Sequence, residues 1–301
     1  MNQATTLLFA VVAWTIVAAM VALRISGLTF PPGDLVQPVL VCTLLLSAAC
    51  WYRRMPSFVL CLTSLTVLVA FSAAFAVLTY AVATSGWPLA DAALARWDSH
   101  AGISAQAIRG WVAQWPALQT ASWFIYFSLI PQTILAIAVL GLNNNSALTR
   151  FLLQFMLGAL VTLACFYFLP ALGSCDETVP AYYSGVVKDM TELNAGERTV
   201  VSWRGAEGII TFPSFHVVWA VLLSIALGWR WIIALNVLVI LSTVPVGMHY
   251  AIDIIGGLLV CGLVVPLANR WLCKVDTAVV PARCAVAIAS PSERRIADAA
   301  G

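Results

Sequence analysis

Residues 58–83 read FVLCLTSLTVLVAFSAAFAVLTYAVA and contain no charged side chain. A helix that crosses a bilayer needs about 20 mainly apolar residues, and it satisfies its own backbone hydrogen bonds where no water is present. This stretch is longer than that minimum. It therefore predicts a transmembrane helix, and it places the whole chain among membrane proteins.

The composition of the rest of the chain agrees with this prediction. The 301 residues are 62% hydrophobic and 9% charged, whereas a soluble domain carries about 25% charged residues. The predicted spans are 6–23, 36–51, 58–83, 123–142, 151–172, 212–227, 231–247 and 250–272. Two of these are short for a full crossing. The sequence thus predicts an all-α, polytopic transmembrane helical bundle of about six to eight spans.

Charge and cysteine content exclude several classes of protein. The formal net charge is +2, which indicates neither nucleic acid nor an acidic partner. Most of the eight cysteines lie in apolar stretches, where a free thiol behaves as a small hydrophobe, and no CxxC pair occurs. We expect no disulfide framework, no metal and no cofactor. No Lys or Arg precedes the first apolar stretch, so we expect a retained helix rather than a cleaved signal peptide.

The distribution of basic residues predicts the orientation. If the N-terminus is cytoplasmic, the cytoplasmic segments hold nine of the 15 Lys and Arg residues and are the shorter segments. Residues 85–120 and 173–211 then face outward. Within the first of these, residues 91–115 read as one amphipathic helix at the membrane interface, with Asp98 and His100 on its solvated surface. Its anchors would be Trp97, Trp111 and Trp115.

One of the two histidines in predicted membrane segments follows a proline. An ionisable side chain in the membrane is costly and indicates a functional site. Residues 211–216 read TFPSFH, in which Thr211 is an acceptable N-cap and Pro213 suits the first turn. Ser214 and His216 would then lie at the positive end of a helix, where an anion is favoured.

The second histidine has an acidic neighbour on the same helix face. Residues 247–253 read GMHYAID, so His249 and Asp253 are four residues apart. A carboxylate that binds one ring nitrogen fixes the tautomer and makes the other nitrogen more basic, as an attacking imidazole requires. Both helices begin on the same predicted side of the membrane. His216 and His249 can therefore converge if the two helices pack side by side.

Non-catalytic roles for these residues remain open. A lone helical histidine is more often a satisfied interior polar group than a catalyst, but two histidines and an aspartate at one level are harder to account for in that way. Three histidines without a carboxylate cluster disfavour a zinc site. A transporter or a non-catalytic membrane scaffold competes with an enzyme, because intramembrane His and Asp also serve proton relays. The sequence shows no inverted repeat of the transporter kind.

The two motifs carry a family resemblance. Pro213-Ser214-Phe215-His216, followed by His249-Tyr250-x-x-Asp253, resembles the second and third motifs of the type 2 phosphatidic acid phosphatase superfamily, roughly PSGH and SRxxxxxHxxxD. The resemblance covers about the last third of the chain. It implies metal-independent phosphoryl transfer through a phosphohistidine. His249 would be the nucleophile and Asp253 would orient it, while His216 would protonate the leaving oxygen and later deprotonate the acceptor.

The chain also departs from the superfamily pattern. The first motif, KxxxxxxRP, is missing, and Thr243 stands where the third motif has a phosphate-binding arginine. Such erosion is similar to the branch that includes inositol phosphorylceramide synthases, which are inositolphosphotransferases. Arg198 and Arg204 are candidates for the missing phosphate clamp, and Ser214 is a further candidate for substrate binding. Ordinary loop charges are the alternative for the two arginines.

Together these features predict an integral membrane enzyme of lipid phosphoryl transfer. Its substrate would be a lipid phosphate or phospholipid, and its product depends on whether water or a lipid alcohol completes the reaction. The missing arginines favour the transferase over the phosphatase. The absence of long soluble domains suggests a bacterial inner membrane, with the site on the extracytoplasmic face.

The predicted domain organisation has three parts. Residues 1–120 hold the N-terminal transmembrane helices and the outer amphipathic segment, and residues 121–275 hold the catalytic transmembrane core. Residues 276–301 are rich in small and polar residues and are interrupted by proline, so we expect a disordered cytoplasmic tail.

Overall fold

A computed structural model describes residues 3–143, 145–174, 184–202 and 208–288. In these residues the chain is helical, and the one β-type contact is an isolated bridge between Thr29 and Val200. The helices are α1 Gln3–Ser26, α2 Val36–Trp51, α3 Pro56–Ala83, α4 Asp91–His100, α5 Ala105–Ala113, α6 Pro116–Phe127, α7 Leu129–Asn143, α8 Asn145–Phe168, α9 Ser184–Asn194, α10 Phe215–Leu227, α11 Arg230–Val246 and α12 Ala251–Ile288.

The number of membrane crossings agrees with the sequence prediction. Within the described ranges, six helical stretches are long and apolar enough to cross a bilayer. They are Thr5–Ser26, Pro32–Trp51, Pro56–Ala83, Pro116–Asn143, Ser146–Phe168 and Ala251–Leu272. The shorter apolar helices α10 and α11 account for the remaining two predicted spans. The all-α, polytopic bundle of six to eight spans is confirmed.

The fourth span is longer than predicted, and it is broken. It begins at Pro116 rather than at residue 123, and it consists of α6 and α7 with Ser128 between them. Pro131 lies in the first turn of α7 and has no N–H to donate to the carbonyl of Phe127, four residues earlier. The helical hydrogen bonding is therefore interrupted where α6 ends, immediately after Tyr126.

Residues 91–115 form two helices instead of the single amphipathic helix predicted. Helix α4 ends at His100, and Gly102 has a φ of 70°, which an α-helix cannot accommodate. Ser104 then caps α5, because its hydroxyl accepts a hydrogen bond from the backbone amide three residues later. The predicted anchors Trp97, Trp111 and Trp115 are all exposed, as an interfacial position requires.

The last helix continues into the segment that was predicted to be a tail. Helix α12 continues to Ile288, into the segment 276–301 that was expected to be a disordered tail. Residues 289–301 lie outside the described part of the chain.

Helix α10 occupies the centre of the bundle. It packs against α7, α8, α11 and α12, and many of its side chains are fully buried. Gly257 of α12 permits the closest approach: an added Cβ would lie 2.7 Å from the carbonyl oxygen of Ser214 and 2.8 Å from Cβ of Val217. Since neither of these atoms can move freely, the glycine fixes the beginning of α10 directly against α12.

The polar segments predicted to face outward come together at one end of the bundle. The amide of Thr29, after α1, donates to the carbonyl of Thr199 at 2.8 Å. The amide of Ala90, before α4, donates to Pro170 after α8 at 2.7 Å. The beginnings of α10 and α12 lie at this same end, which we call the loop end. It is where the two sequence motifs meet.

Candidate active site

The HYxxD motif forms a buried hydrogen-bonded group with the serine of the PSxH motif. Nδ1 of His249 lies 3.0 Å from Oδ2 of Asp253, and its Nε2 lies 3.2 Å from Oγ of Ser214. All three side chains are at most 2% exposed. With Nδ1–H donating to the carboxylate, Nε2 holds the lone pair and accepts from the serine hydroxyl. The spacing of four residues thus gives the contact that it predicted.

The backbone before His249 has an unusual conformation. Met248 has a φ of 58°, a region that non-glycine residues seldom adopt. Its carbonyl accepts from the amide of Ser174 at 2.8 Å. Gly173 allows this contact, because a Cβ there would lie 2.5 Å from the Met248 carbonyl oxygen. The loop after α8 thereby holds the turn that directs His249 toward Ser214.

His216 lies in the first turn of α10 and is positioned by a residue outside both motifs. Its Nδ1 is 3.0 Å from the hydroxyl of Tyr126, and the two rings stack at 4.2 Å between centroids. The centroids of the His216 and His249 rings are 6.1 Å apart. The predicted convergence of the two histidines is therefore present in the structure. Helix α10 begins at Phe215, with Ser214 as its N-cap, rather than at the predicted N-cap Thr211.

Both histidines line one cavity of about 190 Å³. Its remaining wall is largely apolar and comes from α3, α9, the segment before α10, the start of α10 and the turn before α12. The lining residues include Phe75, Val186, Ile209, Phe215 and Met248. A mainly apolar cavity with a few converging polar groups is typical of a small-molecule or lipid site. The two imidazoles and the phenol of Tyr126 are titratable groups that line this cavity.

Two aspartates of α4 support the site from the outside. Asp98 is 4% exposed, and its carboxylate accepts from the backbone amides of Ala251 at 2.8 Å and Ile252 at 2.9 Å. It therefore caps the N-terminus of α12, although the sequence pattern predicted a solvated surface for it. Asp91 accepts from two amides of the loop after α8, those of Leu172 and Gly173.

The predicted phosphate clamp is not assembled in the described part of the site. Arg198 forms ion pairs with Asp189 and Glu192 and does not line the cavity. Arg204 lies outside the described residues. Thr243, at the position of the motif arginine, is fully buried and hydrogen-bonded to the carbonyl of Ile240 in its own helix. The roles predicted for the two arginines stay predictions.

A buried arginine that the sequence did not single out lies close to these elements. Arg109 of α5 is 3% exposed, and its guanidinium donates to the hydroxyl of Ser174 at 3.0 Å. Ser174 is the residue whose amide binds Met248, the neighbour of His249. Burial of a cation in an apolar protein is costly and points to a specific use. In the sequence Arg109 is one of several basic residues in the segments predicted to face outward, and no motif distinguishes it from the others.

Fold and site together define a polytopic helical membrane protein with two converging histidines, one of them paired with a buried aspartate. Among the described residues, no three His, Cys, Asp or Glu side chains are grouped closely enough to hold a metal ion. A family model described as the PAP2 superfamily matches residues 92–267, more than half of the chain. The chain belongs to this superfamily, the one that its motifs resemble. Searches of curated proteins and of solved structures found no match.

Proposed function

We propose that this protein transfers a phosphoryl group from a lipid phosphate or phospholipid through a phosphohistidine on His249. The observation that carries the proposal is the pair of contacts of that ring, with Asp253 at Nδ1 and the Ser214 hydroxyl at Nε2. The carboxylate stabilises the tautomer that has its lone pair on Nε2. Membership of the PAP2 superfamily supports a phosphatase-type reaction on lipid phosphates.

The first step breaks the bond between phosphorus and the leaving oxygen. A phosphate oxygen takes over the hydroxyl of Ser214, which releases Nε2 of His249 to attack phosphorus in line. The leaving oxygen receives its proton from His216. Charge stabilisation is the main demand of such a reaction, and the first-turn amides of α10 face the region where the charge develops.

The second step regenerates the enzyme. An acceptor hydroxyl gives its proton to His216 and attacks phosphorus, and the bond between phosphorus and Nε2 of His249 breaks. With water as acceptor the protein is a phosphatase, and with a lipid alcohol it is a headgroup transferase. We favour the transferase, and the inositolphosphotransferase branch, because a buried threonine replaces the motif arginine at Thr243 and because the cavity wall is apolar.

Arg109 is our candidate for the cation that faces the substrate phosphate. Its side chain is linked through Ser174 to the turn at Met248, and so to the backbone that carries His249. A guanidinium suits this role because its donors match phosphate geometry. Neither arginine is among the residues that line the cavity, and we rank Arg109 above Arg198 because its contact with Ser174 connects it to the backbone that carries His249.

The catalytic unit extends further toward the N-terminus than residue 121. The family match begins at residue 92, and α4 supplies the aspartates that hold α12 and the loop after α8. We therefore assign α4 and α5 to the catalytic unit, together with α3, which lines the cavity, and treat α1 and α2 as an N-terminal addition. This boundary differs from the predicted division at residues 120 and 121.

The site lies slightly below the membrane surface in this proposal. Helix α10 has 13 residues, which corresponds to about 20 Å, whereas the hydrocarbon layer is about 30 Å thick. The beginning of α10, with Ser214 and His216, is therefore recessed below the level of the lipid headgroups, by up to about 10 Å. The loop end faces the extracytoplasmic side of a bacterial inner membrane in our assignment, in accordance with the basic residues of the opposite loops.

The proposal is tested by product analysis with detergent-purified protein and phosphate-labelled lipids, with His249→Ala as the blank. The panel contains phosphatidic acid, polyprenyl pyrophosphate, and phosphatidylinositol with and without ceramide. Labelled free phosphate from the wild type alone identifies a phosphatase, and a new labelled lipid that requires the acceptor identifies a transferase. Product from His249→Ala at the wild-type rate contradicts the proposal. A wild type that forms no product above the blank and does not bind vanadate supports a transporter or scaffold instead.

A further inference from the structure

Tyr126 makes the one hydrogen bond that His216 has within the described part of the chain. The phenol oxygen lies 3.0 Å from Nδ1, and the ring planes are inclined by only 26°. Tyr126 is 4% exposed and lies in the last turn of α6, just before the break caused by Pro131. One residue thus fixes both the plane of the imidazole and one of its two nitrogens.

The contact determines which nitrogen can exchange protons with a substrate. In the imidazolium both nitrogens carry hydrogen, so Nδ1–H donates to the phenol oxygen, which can accept as well as donate. With Nδ1–H donating to the phenol oxygen, only Nε2 can release a proton to a leaving oxygen and later take one from an acceptor. A free ring would populate both tautomers and several orientations, and only some of them would be productive.

We propose that Tyr126 is the positioning residue of His216, and that it keeps the Nδ1 proton in place so that Nε2 alone carries protons during turnover. The inference rests on the proposed function, in which His216 is the acid and base. Tyr126 does not touch the reacting atoms in this assignment. It acts through the imidazole, as Asp253 acts through His249.

The two histidines have different hydrogen-bond partners, and each partner suits the role proposed for its histidine. Asp253 presents a carboxylate to its histidine, which favours positive charge on the ring and suits a nucleophile that becomes phosphorylated. Tyr126 presents a neutral phenol, which orients the ring without holding the charge on it. A histidine that must gain and lose a proton in each cycle is better served by a neutral partner.

The surrounding backbone is built to bring Tyr126 close to both histidines. A Cβ on Gly247 would lie 2.9 Å from Cε2 of Tyr126 and 2.8 Å from Cδ2 of His249. Helices α6 and α11 pack together, and α11 ends directly before this glycine. A side chain at position 247 would push Tyr126 and His249 apart. The glycine therefore maintains the spacing between these two residues.

Packing alone is the competing role for this tyrosine, because a buried phenol needs a hydrogen-bond partner and His216 would supply it. Tyr126→Phe separates packing from positioning, since it keeps the stacked ring and removes only the hydroxyl. Tyr52→Phe, at the exposed turn between α2 and α3, is the matched control for loss of a tyrosine hydroxyl.

The first readout is ¹⁵N NMR of histidine-labelled protein in detergent micelles, which requires no substrate. The chain has three histidines, and His100→Gln and His216→Gln assign their rings. We expect a single tautomer with protonated Nδ1 for neutral His216 in the wild type and in Tyr52→Phe, and a mixture in Tyr126→Phe. An unchanged tautomer in Tyr126→Phe overturns the proposal.

The second readout is turnover of the phosphate-labelled lipid panel. Loss of one orienting hydrogen bond should lower kcat by roughly 5- to 100-fold, with KM within about twofold of the wild type, because the tyrosine does not bind the lipid. If Tyr126→Phe instead lowers kcat/KM only by raising KM, with kcat unchanged, the tyrosine acts through packing and the proposal is overturned. If Tyr126→Phe retains wild-type kcat while His216→Ala is inactive, the positioning role is refuted and the proposed function stands. If His216→Ala itself keeps wild-type turnover, the acid–base role in the proposed function fails.

Discussion

At the scale of single residues, Arg109 and Arg198 place their charges in different surroundings. Arg109 is buried and bound to the hydroxyl of Ser174, whereas Arg198 is held between two carboxylates. We expect Arg109→Ala to lower kcat/KM by about 10- to 150-fold, the range for loss of a hydrogen bond to a charged group. Arg198→Ala should change it by less than about threefold. Initial rates on the lipid that the panel identifies measure both.

The control for this comparison is the amount of folded protein, which gel filtration of each variant in detergent reports. A larger loss of activity in Arg198→Ala than in Arg109→Ala would contradict our assignment and return the phosphate clamp to the candidate favoured by sequence. If kcat/KM falls only slightly, and equally, in both variants, Arg204 is the remaining candidate for the phosphate clamp.

The sequence identified those site residues that lie close together along the chain, at a spacing that puts them on one face of a helix. His249 and Asp253 are four residues apart on one helix, so their contact follows from helix geometry alone. Tyr126 is separated from its partner His216 by 90 positions, and no local pattern connects them. Packing between helices brings them together, and a single sequence gives no access to that packing.

At the scale of helices, Gly257 determines how closely α12 approaches the beginning of α10. Gly257→Ala places a Cβ within 2.8 Å of two groups of α10, including the carbonyl of Ser214. We expect it to destabilise the fold by about 1–3 kcal/mol and to lower activity, because Ser214 must shift. Thermal unfolding in detergent, followed by activity at a temperature where both proteins are folded, measures the two effects.

Gly262 on the same helix is the matched control. An added Cβ there meets nothing within 4 Å, so Gly262→Ala should match the wild type or be more stable, since alanine favours helix. If both variants lose stability to the same extent, helix α12 is sensitive to any substitution, and the proposed contact with α10 is not the cause.

Helix α4 provides a second prediction at this scale. Asp98 caps α12 through two backbone amides, so Asp98→Ala should cost about 0.5–2 kcal/mol of stability. Its effect on kcat should exceed that of Arg96→Ala, an exposed substitution on the same helix, because the first turn of α12 carries Asp253. A kcat for Asp98→Ala equal to that of Arg96→Ala would show that the cap does not influence the chemistry.

The apolar helices were more predictable than the interfacial ones for a physical reason. Long apolar runs have one stable arrangement in a bilayer, so an apolar helix is present at each of the eight predicted stretches, and six of these helices are long enough to cross. Helices α4 and α5 carry mixed residues, and a single glycine at position 102 separates them. The contact of Asp98 with α12 spans 153 positions in the chain, and its charge suggested solvent rather than a helix cap.

At the scale of the whole molecule, the loop end and the opposite end should be accessible from different sides of the membrane. In a variant without native cysteines, Ser99→Cys lies in α4 at the loop end, and Arg53→Cys lies in the turn between α2 and α3. We expect a membrane-impermeant maleimide added to intact cells to label only Ser99→Cys. Both should react after the cells are permeabilised. Labelling of Arg53→Cys alone in intact cells would reverse the orientation and place the site in the cytoplasm.

The central claim is that His249 becomes phosphorylated during turnover. The most direct measurement is rapid quenching of the wild type with the phosphate-labelled lipid that it turns over, followed by analysis of the protein-bound label. We predict a label that is labile in acid and stable in base, located on the peptide that contains His249, and absent from His249→Ala. Turnover by His249→Ala at a rate comparable to the wild type, or label that persists in that variant, would contradict the account.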